Sequence, residues 1–146
     1  MAELLVPISP GELIDKITIL EIKSARMTDA AKLHNVRTEL ALLNETWRAS
    51  AFSAVDITAE WTGLRDVNGQ LWDIEDRIRD KERESLFDAQ FIELARAVYV
   101  TNDERAARRR LDSVRERLQR ATGEPRDRDG TEIVHGPTGR EESARP

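Results

Sequence analysis

The chain has 146 residues, of which 39% are hydrophobic and 35% charged, with a formal net charge of −5. That supplies one core and too little length for two, and the near-balance of signs argues against a general nucleic-acid-binding surface. Without cysteine there is no disulfide, thiolate metal site or thiol nucleophile, and without a basic leader or an apolar run of about eighteen residues the expected address is the cytoplasm, off the membrane.

With three Trp, three Phe and one Tyr, the core must be mostly Leu, Ile, Val and Ala, which suits helices packed on helices. Leu4-Leu5-Val6-Pro7-Ile8 reads as an extended lead-in, because the residue before a proline is pushed out of helical geometry. Ser9-Pro10-Gly11-Glu12 then announces a helix, with Ser9 as N-cap, Pro10 at the first position and Glu12 completing a capping box. Helix 1 is expected to reach about Met27. Its apolar residues form two ridges: Leu13, Ile17, Leu20 and Met27 on one side, Ile19 and Ile22 on the other. A helix greasy on two sides is sandwiched in the bundle or faces another chain, so Ile19 and Ile22 are the candidate homodimer surface.

Thr28-Asp29 recaps the chain for helix 2, whose stripe is Leu33, Val36, Leu40, Leu43 and Trp47. The short linker predicts an antiparallel hairpin. After a loop over 50–55, Asp56 or Thr58 caps helix 3, whose stripe is Ile57, Trp61, Leu64, Val67, Leu71, Ile74 and Ile78. Asp88 caps a fourth helix with Phe91, Leu94, Ala95, Val98 and Tyr99; Thr101-Asn102-Asp103-Glu104 is expected to break it and start a fifth, carrying Ala107, Leu111, Val114, Leu118 and Ala121. The expected organisation is one all-α antiparallel bundle of four to five helices over residues 1–122, followed by a disordered charged tail over 123–146.

Asn68 and Glu75 fall inside the edge of the helix 3 stripe, so both are expected to be at least partly buried. A buried carboxylate needs a partner, a hydrogen-bond set or a proton. Two readings follow. In the first, Asn68, Trp72, Glu75 and Arg79 form a ridge that holds a sugar or nucleotide, with Glu75 tuned by burial into an acid or base and with Arg96, Tyr99 and Arg105 reaching the same space. In the second, more ordinary one, Glu75 closes an internal polar clasp with Arg96, Arg37 or Lys16. Asp15 reads as a solvated edge or as pairing across an interface with Arg26 or Lys23, and Glu93 with Arg96 as a local bridge.

No metal site or cofactor is expected. The only Glu-x-x-His match, Glu132 to His135, lies in the tail, which removes a di-iron site. Glu75-Asp76 resembles the acidic motif of all-helical nucleotide pyrophosphohydrolases only weakly, because adjacent helical residues point apart. Leu13-Ile14-Asp15-Lys16-Ile17 is superficially similar to the opening helix of chorismate mutases. Arg105, Arg108, Arg109 and Arg110, interleaved with acids, read as a solvated face, and no phosphate loop or nucleophile elbow is present.

The segments Ser9-Pro-Gly-Glu-Leu-Ile-Asp-Lys-Ile-Thr-Ile-Leu-Glu-Ile-Lys23, Lys32-Leu-His-Asn-Val-Arg37, Leu71-Trp-Asp-Ile-Glu-Asp-Arg-Ile-Arg79 and Phe91 to Arg105 resemble an uncharacterised family of short bacterial proteins, a domain of unknown function. The resemblance covers about residues 4–120 and implies a setting beside glycosyltransferases or surface-polysaccharide systems, without assigning residue roles. The expectation is therefore a non-catalytic binding or accessory protein with a protein partner in glycan assembly. The alternative is a small helical enzyme acting on a sugar-phosphate, nucleotide or carboxylate through Glu75, with Arg79, Arg96 and Arg105 binding anionic groups.

Overall fold

A computed structural model describes residues 2–123, which form five α-helices: α1 (Pro10–Arg26), α2 (Ala30–Ala49), α3 (Thr58–Arg83), α4 (Ala89–Arg109) and α5 (Arg115–Thr122). No strand occurs among the described residues, so the chain is an all-α bundle. None of these helices is long and apolar enough to cross a membrane. The expected tail falls, apart from Gly123, outside the described residues.

Local chemistry sets the helix starts. The Ser9 side chain accepts from the Glu12 amide at 3.2 Å and the Glu12 carboxylate accepts from the Ser9 amide at 3.2 Å, a reciprocal capping box. Asp29 accepts from the Lys32 amide at 2.9 Å, and Asp88 from the Phe91 amide at 2.9 Å. Asp56 takes both the amide and the hydroxyl of Thr58, which turns the chain into α3. The Lys81 ammonium and the Phe91 amide hold the Asp88 carboxyl below its ordinary range. Asp56 is held low in the same way, by the Thr58 hydroxyl and amide and then by the Arg117 charge.

Leu13, Ile14 and Ile17 of α1 pack with Trp47 of α2, Ile57 and Leu64 near the start of α3, and Leu111, Val114 and Leu118 after α4. The aromatic edge of this core is Trp47, which stacks on Phe52 at 6.4 Å and meets Trp61 edge-on at 5.8 Å. Gly11 permits the tightest approach: a Cβ there would overlap the Arg109 backbone carbonyl, so the start of α1 is pressed against the end of α4.

Two expectations are corrected. Helix α4 runs unbroken through Thr101-Asn102-Asp103-Glu104, because Thr101 is buried in the packing and tertiary contact outweighs weak helix propensity. The break comes instead at Leu111, a non-glycine residue with φ of 53° whose side chain is buried, so core burial offsets a backbone cost of about 1–2 kcal/mol. The second ridge of α1 is not a free surface: Ile22 is buried within the chain and Ile19 lines a cleft. Asp15 and Thr18 lie on this same side and meet α3, so the ridge serves the sandwich inside the bundle.

Candidate functional site

The far end of α1 borders an open cleft of about 790 Å³. Its lining comes from four helices: Ile19 and Lys23 of α1, Lys32, Asn35 and Val36 of α2, Asn68 to Arg79 along one face of α3, and Arg105 of α4, with Met27 at the α1–α2 link.

The floor is polar and its donors are engaged. Asn68 is buried, and its Nδ2 donates to Asp15 Oδ1 at 2.9 Å and to Thr18 Oγ1 at 3.0 Å, while the Thr18 hydroxyl donates to the Asp15 carbonyl at 2.9 Å. Arg109 approaches the other Asp15 oxygen at 3.7 Å. A buried carboxylate is tolerable where such donors compensate it. With both amide hydrogens used, the group Asn68 retains for the cleft is its carbonyl oxygen, an acceptor.

Around that floor stand Lys23, Lys32, Arg79 and Arg105, against the single acid Glu75. Glu75 pairs with Arg79 at 3.5 Å, one helical turn along α3, and Arg79 also bonds Asp76 at 3.3 Å. Lys23, Lys32 and Arg105 have no acidic partner among the described residues, which leaves the cleft with an excess of positive charge. Trp72 supplies an aromatic plane, one side of which faces the Arg26 guanidinium at 5.9 Å; Arg26 is itself tied to Asp73.

The predicted ridge is thus gathered in part. Asn68, Trp72, Glu75, Arg79 and Arg105 share the cleft, whereas Arg96 and Tyr99 do not. Leu94, Thr101 and Arg105 set the inward face of α4, and Arg96 and Tyr99 stand roughly half a turn away from it, with Tyr99 73% exposed. Glu75 is the larger correction. Its side chain is 50% exposed and its partner is Arg79 of its own helix, so it forms no clasp with Arg96, Arg37 or Lys16, and the burial expected to tune it is absent. The clasp exists seven residues earlier, at Asn68. Glu93 and Arg96 do not bridge among the described residues.

Sequence reasoning missed Asp15 and Thr18 as the partners of Asn68. Their spacing of three on the ridge shared with Ile22 carried the signal, a polar pair set among inward apolar side chains. No group of three or more His, Cys, Asp or Glu side chains among the described residues could hold a metal ion. Comparison with protein-family models, with curated proteins and with solved structures returns no match.

Proposed function

We propose that the chain is a non-catalytic binding protein whose cleft takes a small hydroxylated anion of the sugar-phosphate or nucleotide class, as an accessory to glycan-handling enzymes. The observation that carries this reading is the donor imbalance of the cleft: Lys23, Lys32 and Arg105 stand around one opening without acidic partners among the described residues. A phosphate or carboxylate satisfies those cations. A neighbouring hydroxyl donates to the carbonyl oxygen that Asn68 retains, and Trp72, which lines the same cleft, offers an aromatic surface to a ring. Acid or base catalysis through Glu75 draws no support from a carboxylate that lies half in water beside its own helical partner.

Thermal unfolding with inorganic phosphate, glucose 1-phosphate, UMP and UDP-glucose tests the reading. A ligand bound only by the folded state raises stability by about 2.7 kcal/mol at a hundred times its Kd. The expected result is a rise in Tm with the phosphorylated sugars or nucleotides that is lost in Lys23→Ala and Arg105→Ala. A panel in which no anion moves Tm overturns it.

A further inference from the structure

The outer face of α4 is apolar at its centre and charged around it. Ile92 is 56% exposed, Tyr99 73% and Val100 70%, and Arg96, Asp103, Ala106 and Ala107 are exposed on the same side of the helix. At 100° per residue these residues form one stripe about four turns long, opposite the face that carries Leu94, Thr101 and Arg105. The part of the α3–α4 hairpin beneath it is thin: between Leu71 and Thr101 only Leu94 is buried. Among the described residues nothing covers this outer side of α4, and packing on a further helix is the usual way to bury such an apolar stripe.

Its charge pattern selects the occupant. Arg96 and Asp103 are seven residues apart on the stripe, of opposite sign, placed on either side of Tyr99 and Val100, and neither has an ionic partner among the described residues. In an antiparallel pairing about a two-fold axis between Tyr99 and Val100, Tyr99 meets the partner's Val100 and Ile92 meets the partner's Ala107. Arg96 then meets the partner's Asp103, and the same pair repeats across the axis. A stripe that complements itself under a two-fold rotation is what an isologous interface requires. We infer that two copies of this chain associate through antiparallel packing of α4 on α4, held in register by the reciprocal Arg96 and Asp103 pairs.

Light scattering of the full chain over a concentration series reads this directly. The wild type should show twice the mass of one chain. Arg96→Asp and Asp103→Arg should each lose the dimer by setting like charges opposite, and the double variant Arg96→Asp/Asp103→Arg should recover it, since the swap restores both pairs. Tyr99→Glu, at an exposed position, should abolish the dimer while circular dichroism shows helix content unchanged. A wild type that stays monomeric at every concentration overturns the inference, as does a dimer indifferent to both reversals or a double variant that fails to recover. A dimer lost on removing residues 2–8 but insensitive to the charge swap would assign the contact to the exposed Leu4 to Ile8 segment, and would overturn it too.

Discussion

Where the start of α1 meets the end of α4, the packing leaves no room: Gly11 lies against a backbone carbonyl, and Ile14, Ile17 and Leu64 have no exposed surface. Two to three turns further along α1, the same helices part around a cleft of about 790 Å³ edged by Lys23, Lys32 and Arg105. The difference lies in what crosses between the helices. At the closed end aliphatic side chains from α1, α2, α3 and the segment after α4 interdigitate, and non-directional burial draws the backbones together. At the open end long cations and amides stand among Ile19, Val36, Leu71 and Trp72, and the hydration of those polar groups resists collapse. Asp15, Thr18 and Asn68 form the seam, a polar cluster tight enough to be buried and directional enough to fix how α1 sits on α3.

Variants that break this contrast should differ in size. Ile17→Ala, at the closed end, removes a fully buried side chain and should cost about 2–5 kcal/mol in denaturant unfolding, with no change in anion binding measured on the folded protein. Asn68→Ala, at the seam, strips Asp15 of its buried donor; about 1–3 kcal/mol of stability should be lost, and Asn68→Asp should do no better, because it sets a second acid against Asp15. Glu75→Gln, at the open end, should stay within about 0.5 kcal/mol of wild type, since its ion pair is exposed, and it should keep or strengthen the ligand-induced rise in Tm.

The smallest effect concerns pH. The folded state holds the Asp88 carboxyl below 3.8, so it releases its proton more readily than the unfolded chain does. Its contribution to stability is therefore complete above that value and is lost as pH falls from 3.8 through the folded pKa. Asp88→Asn keeps a capping oxygen and cannot titrate. Across the pH interval below 3.8, its unfolding midpoint in urea should fall less steeply than that of the wild type.

Much of the bundle was legible because its signals are local. The capping box at Ser9, the caps at Asp29 and Asp88 and the spacing of three and four along α3 each act within a turn or two of chain. Asn68 and Glu75 show where such reading ends. Seven residues apart, they share a face of α3, and periodicity treats them alike. Asn68 has α1 opposite it and is buried, while at Glu75 the cleft has opened and water reaches the carboxylate. Periodicity tells which way a side chain points and is silent on how far the neighbouring helix follows. The same gap explains α4, where spacing groups Tyr99 with the inward Phe91 and Leu94 although it turns outward with Arg96, and where Thr101 to Glu104 continue a helix that their propensities alone would end.

Titration calorimetry is the most direct test of the claim that the open end is a binding site and the closed end its scaffold. Whichever phosphorylated sugar or nucleotide raises Tm most should be titrated into wild type, Ile17→Val and Arg105→Ala. Binding should be equal in the first two and weaker by about tenfold or more, roughly 1.4 kcal/mol, in the third. Equal binding to wild type and Arg105→Ala, or no heat from the wild type with any such ligand, would contradict it.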